Sequence, residues 1–363
     1  MASIGLDASY VFGAYPTGSA TYSRRLIESL AELDTSHNFQ ICYRMSRLRN
    51  RRQFLRPAGT SARMLTFWRP WRTDLFHGLA QRAPPFLFRR EVVTIHDIFP
   101  ITGHDYSTPE YARKFSAVLR EAIDRAERIV TGSHCTAALL RSECGVEEDR
   151  IRVTPYGVDL PAQTIPAEIS LRERERRVGK GNEMLLAVGM LESRKNVVNA
   201  LRALKALPER YHLHLVGGDG YGHEAIHAFI AEHSLESRVH RSGYVPADLL
   251  RTFYQSASAL LFPSLEEGFG FPVLEAMAHG LPVVTSNLSS IPELGGDAVL
   301  YADPRDPCAI ASQVVEAVES SAVRERMIKR GLARAREFTW RRTAEQTLRV
   351  YDELLGGGAS TAR

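Results

Sequence analysis

The chain has 363 residues, 44% hydrophobic and 24% charged, an ordinary globular composition that excludes a fibrous or disordered protein, and its length predicts two domains rather than one core. The net charge is only +4, no apolar run approaches the roughly 18 residues needed to cross a bilayer, and the N-terminus lacks a signal-peptide pattern. Cys42, Cys135, Cys144 and Cys308 are scattered, with no pair at zinc-ligand or redox spacing, which fits buried thiols in a reducing, cytoplasmic compartment.

In chain order, Ile4 to Leu6 reads as a strand and Ser19 to Leu33 as a helix with Tyr22, Leu26, Leu30 and Leu33 on one side. The connector from Gly13 to Gly18 is then a first strand-to-helix turn, and in open parallel sheets such turns lie where ligands bind. Between Arg44 and Arg90 stand twelve arginines and a single acid, Asp74, interleaved with Phe54, Phe67, Trp68, Trp71, Phe76, Phe86 and Phe88. That pattern suits an anionic membrane surface or acceptor, with a solvated face as the alternative; nucleic acid is not expected. Val92 to Ile95 is a buried strand with His96 and Asp97 at its carboxyl end, where Asp97 can hold one ring nitrogen while the other faces the ligand. A helix from Pro109 to Arg125 and the strand Arg128 to Val130 come next. Ser133 is then the expected N-cap of a helix from Thr136 to Arg141, His134 reads as structural or exposed, and the strand Ile151 to Thr154 closes this half.

Composition shifts from Leu160 to Asn182, with prolines, glycines and a charged run from Arg172 to Arg177, as in a linker. A new strand, Met184 to Val188, leads through Gly189 to Arg194 and Lys195 near the start of a helix. Two cations there oppose the helix dipole, and a bound diphosphate reverses that sign. His212 and His214 alternate on a strand that ends at Gly217-Gly218-Asp219-Gly220, with no third ligand to make them a metal site. Ala259 to Phe262 then runs into P-S-L-E-E-G-F-G-F-P-V-L-E-A-M-A-H-G-L-P, residues 263–282, which reads as strand, glycine loop and helix. Pro272 takes the first helical position, Val273, Leu274 and Met277 share a face, and Gly280 and Pro282 stop the helix. Gly268 and Gly270 allow close backbone approach, and the following amides suit an anion. Glu267 precedes the loop and Glu275 falls in the first helical turn, where the dipole favours a carboxylate by about 0.3–1 kcal/mol. A carboxylate beside a phosphate repels it, so a functional acid here reaches past it to hydroxyls, as on a sugar. A strand at Val283 to Thr285, the segment Ser289 to Gly296, a helix from Pro307 to Ser320 and Phe338-Thr339-Trp340 with a last helix, Arg341 to Leu355, complete the chain.

The run E-G-F-G-F-P-V-L-E is a Glu–seven–Glu signature that resembles the retaining glycosyltransferases of family 4, and the other segments match in order over nearly the whole chain. The resemblance implies an α/β protein of the GT-B fold, two doubly wound Rossmann-like domains facing across a cleft. Its parts would be an acceptor-side domain at 1–160, a linker at 161–182, a nucleotide-sugar domain at 183–337, a helix at 338–355 crossing back to the first domain and a disordered tail at 356–363. It further implies catalytic roles for Glu267 and His96 at the donor sugar, ribose contacts for Glu275, a diphosphate grip by Arg194 and Lys195, and Tyr244 beside the base. Gly268, Gly270, Val273 and Leu274 go with the nucleotide, and Phe269, Phe271 and Gly18 with the donor sugar. Members usually carry Gly-Thr-Gly where this chain has Pro16-Thr17-Gly18, a departure that bears on the amide contacts of that loop.

The implied reaction moves a hexose, mannose favoured, with retention from a nucleotide sugar to a glycan or lipid-linked acceptor in polysaccharide biosynthesis. GDP-mannose is the first donor expected and a UDP-sugar the second. No Asp-x-Asp pair occurs, which argues against a metal-dependent GT-A enzyme, so no metal and no cofactor are expected. A glycosidase pair of acids fits a phosphate loop poorly. Two alternatives stay open: an epimerase or hydrolase of the GT-B fold, and a non-catalytic nucleotide- or polyanion-binding subunit. The location expected is cytoplasmic, with peripheral contact at the inner face of the cell membrane.

Overall fold

Short apolar runs rich in valine, isoleucine and leucine become central strands buried on both faces, with partly exposed strands at the edges, and each half of the chain gathers its own into an all-parallel sheet. The computed structural model describes residues 1–11, 17–44, 57–65, 73–84, 86–102 and 106–356. One unit holds Met1–Thr102, Pro109–Gly157 and the chain from Phe338; the other holds Val158–Glu337 with residues 106–108.

The first unit has β1 (Ser3–Asp7), β2 (Asn38–Arg44), β3 (Ser61–Leu65), β4 (Leu75–Gly78), β5 (Glu91–Thr94), β6 (Arg128–Thr131) and β7 (Ile151–Val153), in the order β3-β2-β1-β4-β5-β6-β7. The second has β8 (Glu183–Val188), β9 (Tyr211–Val216), β10 (Val239–Gly243), β11 (Ala259–Phe262), β12 (Val283–Ser286) and β13 (Leu300–Ala302), in the order β10-β9-β8-β11-β12-β13. The order reverses between β1 and β4 and again between β8 and β11. Loops leaving the carboxyl ends of those strands diverge there, and a crevice for ligands results.

The first helix runs over Gly18–Ala31, with Thr17 as N-cap, so Gly18 is its first residue and Leu33 lies beyond its end. Most of the turn before it falls outside the described residues, as do 45–56, 66–72 and 85 of the arginine-rich section and the tail from residue 357. Ser133 caps the helix His134–Cys144, its hydroxyl accepting from Thr136 N at 3.1 Å.

The stretch read as a linker contains a helix, Ala167–Val178, that belongs to the second unit. Its arginines, with Ser170 donating to Gln255 O at 2.7 Å, attach it. Arg174 donates to Ser256 O at 3.0 Å and to Glu183 at 2.9 Å, and the Arg177 guanidinium lies 3.8 Å above the Phe253 ring. Arginine stems and guanidinium faces cover apolar surface, so a run of charge can be the inward side of a helix.

The last helix, Trp340–Gly356, returns to the first unit. Tyr351 Oη meets His77 Nδ1 at 2.6 Å, and Glu353 binds Arg128 and Arg152. A Cβ on Gly157 would stand 2.2 Å from Trp340 N, so only glycine lets the two backbones pass where this unit first ends.

Candidate active site

Glu267 anchors the site. It follows β11 and is 8% exposed, while the loop after β8, the other strand at the reversal, brings two cations onto it. Lys195 Nζ lies 2.6 Å from Oε1, Arg194 Nη1 lies 3.0 Å from Oε2, and Ser264 Oγ donates to Oε1 at 2.6 Å. Burial alone would raise this carboxyl, but Lys195 and Arg194 hold it down at about 2. Arg194 also bonds Glu192 at 3.1 Å and donates to Glu266 O at 2.7 Å.

Arg194 and Lys195 do not sit in the first turn of the helix that follows. They occupy a single 3-10 turn, Ser193–Lys195, ahead of Val197–Ala206, and between the two Asn196 adopts a left-handed backbone with φ 57°. Its side chain donates to Pro263 O at 3.0 Å and Pro304 O at 2.7 Å, which fastens the cation loop to the start of the Glu267 loop. Asn196→Ala loses both bonds and puts an alanine where L side chains are strained, so we expect a destabilisation of about 2–4 kcal/mol in denaturant unfolding. Asn196→Gly should lose less, because it restores the backbone freedom.

Serines from beyond β12 complete the cradle. Ser289 Oγ accepts from Glu267 N at 3.0 Å, and Ser290 Oγ donates to Glu267 O at 2.8 Å or Phe269 O at 3.0 Å. Gly270 caps the next helix with φ 104°, and a Cβ there would stand 2.7 Å from Ile291 Cδ1. That helix runs over Phe271–Ala278, so Pro272 is its second residue and Glu275 its fifth, past the first turn and beyond a capping role. Val273 and Leu274 are fully buried, and both N–H groups donate to Gly270 O, so neither offers a group to a ligand here. Phe269 is buried against Phe271, with ring centroids 5.2 Å apart.

Glu275 is held differently from Glu267. Tyr254 Oη donates to its Oε2 at 2.7 Å, and among the described residues no cation is paired with it. Burial raises its carboxyl to about 7, Asp159 adds to that, and the Tyr254 bond works against it. The two acids of the signature thus stand far apart in acidity, one firmly ionised and one poised near neutrality. Tyr244, after β10, is 42% exposed.

In the first unit His96 stands just past β5, buried, with both ring nitrogens engaged. Nε2 donates to Leu79 O at 3.1 Å and Nδ1 accepts from Tyr156 Oη at 2.8 Å. The carbonyl fixes the proton on Nε2, and burial lowers the ring to about 4, so it is neutral. The sequence reading gives one nitrogen to Asp97 and turns the other to the ligand; the tyrosine takes the first place and the Leu79 carbonyl the second. Asn196, Ser264, Ser289, Ser290, Tyr254 and Tyr156 were not singled out from sequence. Only Asn196, directly after the cation pair, carried a local signal.

Two Rossmann-like parallel-sheet domains, the second with an acidic glycine loop and paired cations at its reversal point, have the architecture of the GT-B glycosyltransferases. The chain belongs to glycosyltransferase family 4. Residues 16–161 match the family described as Glycosyltransferase Family 4, and residues 171–334 match Glycosyl transferases group 1. O-antigen chain mannosyltransferase B of Escherichia coli is 33% identical over 296 residues, 79% of this chain and 76% of that protein. A D-inositol 3-phosphate glycosyltransferase of Acidothermus cellulolyticus is 29% identical over 73% of this chain and 62% of that one. Among solved structures, sucrose-phosphate synthase from Thermosynechococcus elongatus superposes with a TM-score of 0.78 at 20% identity, covering 99% of this chain and all of that one. Anabaena HepE in complex with UDP and glucose does so with 0.76 at 17% identity, over 97% of this chain and all of that one.

Proposed function

We propose that the chain is a retaining mannosyltransferase that takes mannose from GDP-mannose, or a related hexose from a UDP-sugar, and passes it to a glycan or lipid-linked acceptor in polysaccharide biosynthesis. The observation that carries this reading is the clasp of Lys195 and Arg194 on Glu267 at the reversal point of the second sheet. It holds two cations where a diphosphate would lie and an ionised acid where sugar hydroxyls would lie. The mannose assignment leans on the E. coli relative named as a mannosyltransferase.

In this reading Arg194 and Lys195 receive the charge that builds on the departing diphosphate, and such preorganised electrostatics is commonly the largest catalytic contribution. Fixed cations supply that charge without a metal ion. Glu267 accepts hydrogen bonds from the donor sugar, and neutral His96 is assigned to the same sugar, which its ring reaches only by exchanging its bond to Leu79 O or Tyr156 Oη. The acceptor hydroxyl attacks on the face the diphosphate leaves, with retention. Glu275 accepts from the ribose hydroxyls and Tyr244 lies by the base. The basic section at 44–90 is assigned to an anionic acceptor or the inner membrane surface.

Glu275 sets a pH dependence. Its ionised form is the better acceptor for the ribose, so nucleoside diphosphate affinity should rise as pH passes upward through about 7. Tyr254→Phe removes the bond that favours ionisation and should move this rise to higher pH. The dependence should vanish for a 2′,3′-dideoxynucleoside diphosphate, which separates it from titration of the phosphate; a dideoxy ligand with an unchanged profile would remove Glu275 from the ribose. Stability has the opposite sign: a carboxyl raised from its ordinary value makes the fold less stable as pH climbs from about 4.5 to about 7.

Release of nucleoside diphosphate from a panel of nucleotide sugars, with and without glycan acceptors, tests the function. Acceptor-dependent release from GDP-mannose is expected. Acceptor-independent turnover would mean an epimerase or hydrolase, and tight binding with no turnover a non-catalytic subunit.

A further inference from the structure

Beyond the sugar site, a second group of side chains converges in the second unit. Asp219 ends the glycine turn after β9, and His223 and His227 lie one turn apart on the helix His223–Glu232. One carboxylate oxygen of Asp219 and one ring nitrogen of each histidine all lie within 4.8 Å of one another, the one group of three such ligands among the described residues. His227 Nε2 stands 3.2 Å from Asp219 Oδ1. We propose that Asp219, His223 and His227 form a binding site for a borderline-soft transition-metal dication of the zinc class, with a fourth position open to water.

Three features beyond proximity support this. Histidines at i and i+4 on one helical face meet at a common point without backbone rearrangement. His223 Nδ1 donates to Gly220 O at 2.9 Å, which orients the ring and leaves the lone pair on Nε2; a backbone carbonyl behind a ligand histidine is the usual outer support of a zinc site. Arg241 Nη2 reaches Asp219 Oδ1 at 3.0 Å and Oδ2 at 3.3 Å, which holds the carboxylate in place beside His227, although the ion must share that oxygen with the guanidinium. Tetrahedral zinc with bonds of about 2.0–2.2 Å wants its ligand atoms roughly 3.4 Å apart, so any pair at the 4.8 Å limit must close by about 1.4 Å, within reach of side-chain rotation. The ion would take the place of the proton that His227 shares with Asp219. The acid and two imidazoles favour zinc or cobalt over magnesium or calcium, which prefer an all-oxygen shell.

The position suggests what the ion does. Leu191 N donates to Gly218 O at 2.8 Å, Gly220 N to Leu191 O at 3.1 Å and Ser193 N to Tyr221 O at 2.9 Å. The glycine turn is thereby strapped to the segment that leads into Arg194, and an ion clamping Asp219 to the helix would stiffen that strap. The site does not rest on the sugar-transfer reading, and its failure would leave that reading standing.

Protein stripped with a chelator and titrated with Co2+ should bind one equivalent with visible ligand-field absorption, and Zn2+ should displace it and raise the thermal midpoint. His223→Ala and His227→Ala, both part-exposed positions, should keep the midpoint of the stripped protein yet lose the bound equivalent and the zinc-dependent rise. His240→Ala should retain both. No stoichiometric Co2+ spectrum, an unchanged spectrum in the His223→Ala/His227→Ala double variant, or loss of binding in His240→Ala would each overturn the proposal.

Discussion

Glu267→Gln is expected to lower sugar transfer by about 10²–10³-fold while the nucleoside diphosphate binds at least as tightly as before. In the proposed reading the loss in rate follows from its place, because an ionised acid that hydrogen-bonds the donor sugar acts on the transition state. The gain or parity in affinity follows from what the carboxylate does without ligand. It neutralises Lys195 at 2.6 Å and Arg194 at 3.0 Å, so a diphosphate must share or take over those cations. Glutamine removes the internal competitor. It also leaves two buried cations short of a partner, and breaking a buried pair on one side commonly costs about 3–5 kcal/mol. The variant should therefore be less stable alone and should gain more thermal midpoint than the parent on adding nucleoside diphosphate, since a ligand that binds only the folded state stabilises it. Transfer and binding lost in equal measure would take Glu267 away from the sugar.

The second large effect is expected from Arg194→Ala/Lys195→Ala. Each charge-assisted contact to a phosphate is worth about 1.5–3 kcal/mol, so the pair should raise the Kd for nucleoside diphosphate by roughly 10²-fold or more. Calorimetry with GDP and UDP reads this directly. The double variant strands Glu267 as a buried, uncompensated carboxylate, so instability alone could mimic the loss. Adding Glu267→Gln on the same background removes that charge and should recover the fold without recovering affinity. Unchanged affinity in the double variant would return the two residues to a purely structural role on Glu267.

Much of the second domain is legible in the sequence. Ala259 to Phe262 was expected as a strand and is one, because a parallel strand buried on both faces must be apolar throughout. The Glu–seven–Glu spacing and the Arg-Lys pair were visible for a related reason: each element comes from one short, contiguous segment. The helix Ala167–Val178 was not readable. Many of its contacts are made by arginines against Phe253, Ser256 and Glu183, with Ser170 on Gln255 O, and charge in a sequence reads as solvent. His212 and His214 likewise showed no third partner, whereas β10 brings His240 beside them, His212 Nδ1 meeting His240 Nε2 at 3.0 Å.

What the sequence by itself determined was the more apolar strands, though not Asn38–Arg44, Ser61–Leu65, Leu75–Gly78, Val239–Gly243 or Leu300–Ala302, together with the family and the two acids and two cations as the residues to watch, since periodicity, loop glycines and local spacing are properties of neighbouring residues. Only the tertiary structure decided how those groups differ. It gave Glu267 the cations and so held it ionised, left Glu275 with a phenol and raised it toward 7, and turned His96 to Tyr156 and Leu79. Acidity depends on burial and on charges a few ångströms away, and those neighbours come from distant parts of the chain that meet only when the sheet is built.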